Sequence, residues 1–477
     1  MIPLEVRYMP DQINTFQPVT NNSEEVPTTP QLNTPEVVVT PASPKKFPKA
    51  LVLIILVLTL LGLGFFIFTK VKTLRKAPSG EIVWWGLWED ESTISPLIAE
   101  YEAKNPKVKV KYVEQSKQDY RERLTNALAK GTGPDIFTFH NSWVPMFKNY
   151  LDPIPASVMT PSEFSQVFYP VIVSDLTSGT GILGIPLGYD ALTLFINSDI
   201  FASYGKNPPA TWDDLRSLAI ELTTKDDQGN IIQSGVALGR TENVDNWQEI
   251  LALMMLQNGA NLANPTGRLA EDALTFFTLF SANDGVWDAS LPTSTAMFAG
   301  GKLAMYLAPS WRVFEITQLN PSLKFRAVPV PQLAKGSVSQ KDVAYATYWV
   351  QGVSNKGKNK VVAWEFLKYI SSRDSLAKLY ANASKQRSFG EAYPRTDMAS
   401  LLTDHPILGS IIFQAPNAQS WYLQSRTFDG PTGINSLINK YFEDAVNAVN
   451  SRDTAAKVLP SVAQGVSQVL KQYGIIR

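Results

Sequence analysis

Polar and apolar positions alternate in a regular way from residue 80 onward. Ile82 to Trp85 reads as a strand. Ile94, Leu97, Ile98 and Tyr101 then recur at helical spacing, with Ser92 placed to cap that helix. Val108, Val110 and Tyr112 alternate with Lys107, Lys109 and Lys111, the signature of a half-exposed strand. Tyr120, Leu124 and Leu128 mark a second helix that Gly131 and Gly133 stop, and Asp135 to Phe139 is the next strand. This β-α-β-α-β order predicts a parallel sheet with helices on its faces. Ligands of such sheets sit beyond the carboxyl ends of the strands, which directs attention to the loops 86–90 and 140–143.

Further along, 182–186, 192–196, 303–307 and 343–353 read as strands. Helices are expected over 247–258, 271–282, 361–371 and 374–381, and the segment 208–212 caps another. After Asn382 the chain is loop-rich until two terminal helices. The first carries Ile434, Leu437, Ile438, Tyr441 and Phe442; the second carries Leu459, Val462, Val466 and Val469.

Before residue 80 the pattern is of another kind. Ala50 to Thr69 holds no charge, and only Thr59 and Thr69 are polar. At about 1.5 Å per residue such a helix matches a hydrocarbon core of roughly 30 Å, and it exceeds the apolar region of a signal peptide. A transmembrane anchor is therefore expected at 49–70, followed by a cationic linker at 71–79. Residues 1–48 carry Pro3, Pro10, Pro18, Pro27, Pro30, Pro35, Pro41, Pro44 and Pro48 among polar residues, a composition expected to remain a flexible tail. Lys45, Lys46 and Lys49 before the span nearly balance Lys70, Lys72, Arg75 and Lys76 after it, so charge does not set its direction.

At 477 residues, more than one lobe is expected. Lys plus Arg and Asp plus Glu balance at 43 each, which argues against a nucleic-acid surface. The absence of cysteine removes disulfides, thiolate nucleophiles, Cys-ligated metals and a lipid-modified cysteine. Histidine is confined to His140 and His405, no Gly-x-Ser-x-Gly elbow or phosphate loop is present, and no metal-ligand spacing emerges, so no cofactor is expected.

The aromatics fall where strands and helices end. Trp88, Trp143, Trp247, Trp311, Trp349 and Trp421 occupy such positions, and one of Trp84 and Trp85 is expected in the core. Core packing is the plain account of a tryptophan. At loop ends the alternative is a flat face stacked on the C–H face of a sugar. Glu89, Asn141, Asp190, Arg312 and Asp429 lie beside them as candidate partners for hydroxyl groups, and His140 fits either a ligand-facing or a structural role.

Taken in order, several of these segments resemble the extracellular solute-binding proteins of ABC transporters, family 1, the group that contains the maltose-binding proteins. Residues 81–89 resemble the family's first strand and its ligand-side loop, and 133–137 its second-strand motif, with His140 and Asn141 next at the cleft. Residues 184–197 resemble the crossover into the second lobe, where Tyr189 and Asp190 match ligand-contacting positions. Residues 208–215, 298–305 and 309–312 resemble further signatures, the last with a stacking tryptophan, Trp311; Trp421 matches a late aromatic cleft position. The likeness spans most of 80–450 and departs from the family in replacing a lipoprotein cysteine or cleavable signal with the anchor and tail.

The resemblance implies a periplasmic-binding-protein-like fold, two α/β lobes around a ligand cleft, preceded by a single transmembrane helix. Lobe 1 is expected at 80–188 with 340–385 returning to it; 189–339 and 386–477 form lobe 2 and the C-terminal helices. It also implies a mono- or oligosaccharide ligand, an ABC permease with its ATPase as partners, and no catalysis. It places the large domain outside the membrane and the tail in the cytoplasm. Two other readings compete: a glycoside hydrolase, since carboxylates beside aromatics also describe a cleaving cleft, and a sensory ectodomain without transport.

Overall fold

The computed structural model describes residues 56–59, 79–179, 181–335 and 341–477. The chain divides into two compact units, Met1–Leu74 and Arg75–Arg477. In the first, only Leu56–Thr59 is described, and these residues are helical. The expected span at 50–69 otherwise lies outside the described residues, as do the tail and all of the linker but Ser79. Among the described residues no helix is long and apolar enough to cross a membrane.

The second unit opens as the periodicity predicts. Strand β1 (Gly80–Gly86), helix α1 (Glu91–Lys104), strand β2 (Val108–Glu114), helix α2 (Tyr120–Lys130) and strand β3 (Ile136–His140) follow in turn. β1 runs parallel to β2 and to β3. Trp84 is buried against Tyr112 and Phe366 while Trp85 is partly buried, as alternation across a strand requires. Helix α2 ends where Gly131 adopts φ of +71° and turns the chain. Ser92 does not cap α1: Asp90 precedes the helix without a side-chain cap bond, and the Ser92 hydroxyl instead accepts from Gln386. Short strands β4 (Leu151–Asp152) and β5 (Ile185–Pro186) complete this part.

The chain then crosses to a second sheet. It contains β6 (Thr193–Asn197), α3 (Trp212–Glu221), β7 (Thr224–Lys225), β8 (Ile231–Val236), α4 (Trp247–Gln257), α5 (Arg268–Ala282), β9 (Leu303–Ala308), α6 (Arg312–Leu319) and β10 (Phe325–Val328). Thr211 caps α3 through a full capping box with Asp214. The second sheet has the order β10-β6-β9-β8-β7. Strand β11 (Trp349–Ser354) returns to the first sheet and lies antiparallel to β3, giving β2-β1-β3-β11-β4 with β5 also on β11.

The expected strand at 343–353 is broken in two. Ala344–Tyr345 pairs with Ala418–Gln419, and Thr347 and Tyr348 then donate their amides to Asp190 and Asn141 as the chain crosses between sheets. Helices α7 (Lys360–Ile370) and α8 (Arg373–Ala383) cover the first sheet, and α9 (Ile434–Asn450) and α10 (Ala455–Gln472) form a terminal hairpin packed on α5.

Candidate functional site

The carboxyl ends of β1 and β3 open onto a cleft of about 410 Å³. That volume lies within the roughly 300–1,000 Å³ of small-molecule sites. On the side of the first sheet, Leu87, Trp88 and Glu89 follow β1, and His140 ends β3. Because β11 runs antiparallel to β3, its first residue, Trp349, lies opposite His140 and reaches the same edge. The rings of Trp349 and Trp88 meet edge-on at 5.2 Å, and Trp88 remains 41% exposed. Glycine at position 86 makes this corner possible: a Cβ there would lie 2.0 Å from the Tyr112 hydroxyl, which donates to the Glu89 carbonyl at 2.5 Å.

His140 is fully enclosed. Its Nδ1 accepts from the Ser142 amide at 3.3 Å, and its Nε2 lies 3.0 Å from the Thr347 hydroxyl. Burial pushes its pKa down to about 3, so the imidazole is neutral at physiological pH.

The second wall is built around Asp190. Its carboxylate accepts from the Ala191 amide at 2.8 Å, the Ser310 amide at 3.1 Å and the Ser310 hydroxyl at 2.9 Å. One buried side chain thereby ties the crossover strand to the loop after β9, and this presents Trp311 to the cleft. Burial, reinforced by the negative charge of Glu391, raises the Asp190 pKa to about 7. Trp311 carries the guanidinium of Arg312 at 4.5 Å and that of Arg426 at 5.2 Å.

Two further features complete the cleft, neither of them anticipated from the sequence: Arg387 and the segment 425–428. Arg387 bridges Glu89 and Glu391, at 3.0 Å each, and sits over the ring of Phe314. Burial raises the pKa of Glu89 while Arg387 opposes the shift. A segment over 425–428 runs along the opening: Arg426 lies on Trp311, and Phe428 lies beside Trp88 at 6.0 Å and under Lys117 at 5.4 Å. Arg426 and Phe428 both adopt positive φ, of 49° and 54°. Ser425 anchors the segment by donating its amide to Glu249 at 2.5 Å and accepting from Asn246 at 2.9 Å.

Of the residues singled out in the sequence, Trp88, Glu89, His140, Tyr189, Asp190, Trp311 and Trp349 line this cleft. The others lie outside its lining. Asn141 donates to Asp175 and accepts from the Tyr348 amide behind the wall. Arg312 is buried behind Trp311, paired with Asp245 at 3.0 Å and Glu315 at 2.7 Å. Trp247 is in the core at the start of α4. Trp421 packs on Tyr422 and Phe442, and Trp143 is fully buried against Phe147. Asp429 accepts from the Asn435 amide at 2.7 Å and the Ser436 hydroxyl at 2.6 Å, so it holds the first turn of α9.

Residues 85–376 match the family model described as bacterial extracellular solute-binding protein. The chain belongs to that family. The family is one of solute-binding proteins, not of enzymes. This solute-binding protein is 24% identical over 317 residues to the multiple sugar-binding protein of Streptococcus mutans, covering 61% of this chain and 71% of that one. It is 22% identical over 319 residues to the maltotriose-binding protein of Pyrococcus abyssi, covering 64% and 65%. Its fold is that of a cyclo/maltodextrin-binding protein solved with maltotetraose, at a TM-score of 0.66 and 17% identity, covering 83% of this chain and 98% of the other. The sugar-binding protein MalE of Xanthomonas citri also gives 0.66 at 17% identity, covering 82% and 98%. The two-lobed periplasmic-binding-protein-like architecture is therefore that of the family.

Proposed function

We propose that this solute-binding protein captures a carbohydrate between its lobes and delivers it to an ABC permease driven by a separate ATPase. The observation that carries the reading is the cleft itself, in which Trp88, Trp311, Trp349 and Phe428 offer flat faces beside Glu89, Arg387 and Glu391. Flat apolar faces with a few placed charged groups suit the C–H faces and hydroxyls of a sugar. The sugar-binding relatives add support. Trp88, Glu89, Trp311 and Trp349 are the residues proposed to contact the sugar, with Tyr189 and Asp190 setting the floor. Titration of intrinsic tryptophan fluorescence with a panel of mono- and oligosaccharides tests this; a response to peptides or amines and to no sugar would sink it.

The proposed arrangement at the membrane is a single span over 50–69 with the binding unit outside and the tail inside. It rests on the uncharged run and the family's extracytoplasmic role. Retention of the full chain in carbonate-washed membranes is the expected result, and release into the wash would refute it.

A further inference from the structure

The cleft holds one carboxyl group whose bonds do not close. Glu249, on the first turn of α4, lines the cleft and is 1% exposed. Its Oε1 accepts the Ser425 amide, while its Oε2 has no hydrogen-bond partner. The other carboxylates of the lining are satisfied: Glu89 and Glu391 share Arg387, Glu315 pairs with Arg312, and Asp190 is held by Ser310 and Ala191. Arg312, whose charge acts on Glu249, directs its nitrogens to Asp245, Glu315 and Asn246.

A buried oxygen acceptor without a donor is costly, and the Ser425 bond alone would be made as well by a neutral amide. Charge points the same way. Around this wall the carboxylates of Asp245, Glu249 and Glu315 face the guanidiniums of Arg312 and Arg426, which leaves one negative group uncompensated. Burial also disfavours the charged form of Glu249, and the hydrogen bonds from Ser425 and the charge of Arg312 only oppose that shift.

Resting on the carbohydrate reading above, we propose that Glu249 determines specificity, its free oxygen receiving a hydrogen-bond donor of the ligand, a hydroxyl or an ammonium. The same residue excludes acidic sugars, whose carboxylate would face an uncompensated acceptor. Trp311 and Asn246, on the same wall, bring the sugar face and the donor to one end of the cleft.

The test measures binding to the full chain, wild type and Glu249→Gln, with four probes: maltotriose, the glucosamine trisaccharide, trigalacturonate and spermidine. The amide side chain of that variant keeps an acceptor for Ser425 but turns a donor toward the ligand. Maltotriose or the glucosamine trisaccharide should bind the wild type at least tenfold more tightly than trigalacturonate, a comparison that needs no variant. The variant should weaken that binding roughly ten- to a hundredfold, the range of a hydrogen bond to a charged group. Its thermal midpoint should stay at or above that of the wild type. Sugar binding undiminished in Glu249→Gln, or a fall in midpoint that accounts for the loss, overturns the role of Glu249 and leaves the carbohydrate reading standing. Binding of spermidine alone, lost in the variant, keeps Glu249 and overturns the carbohydrate. Preference for trigalacturonate, or no binding of any probe, overturns the proposal.

Discussion

Asp190 concentrates at one residue what the crossover requires. It must be buried, because the chain passes between two sheets there, and it must be polar, because the amides of Ala191 and Ser310 need an acceptor. The cost is a carboxyl group pushed up to about 7 from an unfolded value of 3.8. Since the folded pKa is raised, the folded state holds the proton between these values and the unfolded state does not. The contribution to stability is fully present below pH 3.8 and is lost as pH rises through 7. Asp190→Asn should flatten this loss, whose full extent is on the order of 2–4 kcal/mol. Urea midpoints from about pH 4 to 8 measure it, and an unchanged slope in the variant would refute the assignment. His140 opposes it over part of this window: neutral in the fold down to about 3 but protonated in the unfolded chain below 6.5, it makes stability rise with pH up to about 6.5. The Asp190 effect is therefore read as the difference between the wild-type and Asp190→Asn curves.

Among the elements, the corner after β1 separates binding from folding. Gly86→Ala would place a methyl group against Tyr112, whose hydroxyl holds the Glu89 carbonyl and so the loop that carries Trp88. Overpacking of this kind costs about 1–3 kcal/mol, and here it also moves the binding loop. Thr211→Ala, which removes the cap of α3 far along the chain, should cost about 1 kcal/mol with no change in affinity. Urea denaturation and fluorescence titration of both variants check the contrast; equal effects on affinity would show that Gly86 acts through stability alone. Helices α2 and α3 show what sequence can reveal. Tyr120, Leu124, Leu128 and Gly131 specify α2, and the 208–212 segment specifies the α3 cap, because helix period and cap chemistry are local. Strands β8 and β10 escaped the periodicity. β10 has four residues, none fully buried, so little alternation marks it. Arg387, Phe314 and Phe428 were equally hidden, since their place in the cleft depends on non-local packing: Arg387 reaches back to Glu89, and Phe428 to Trp88. Asp429 and Trp421 misled for the converse reason, lying in the right loop with side chains spent on α9 and its neighbours.

At the scale of the molecule, two passages of chain join the sheets, over 187–192 and 329–348, and a third, over 384–407, leads from the helices on the first sheet to a helix against β10. The proposed sugar contacts are divided between the sheets: Trp88, Glu89 and Trp349 belong to the first, and Trp311 follows the second. On the proposed function, a ligand that bridges both walls would bind a closed arrangement more tightly than an open one and shift the population toward it. The terminal hairpin limits how freely this can happen. Its α9 packs on α5 of the second lobe, while its near end meets the first through Ser142 and Asn435 at 2.9 Å and through Arg121 and Thr432 at 2.8 Å. On that reading closure would keep or exchange these polar contacts, and the hairpin, packed on α5, would go with the second sheet. Small-angle scattering on residues 79–477, with and without a sugar that saturates the fluorescence signal, should show the radius of gyration falling on binding. Asn435→Ala, which removes the buried bond to Ser142, should lower stability by about 1–3 kcal/mol and alter the affinity while every cleft residue is retained. A radius unmoved at saturation, together with unaltered affinity in Asn435→Ala, would mean that the sugar enters a preformed, rigid cleft and that the three passages do not act as a hinge.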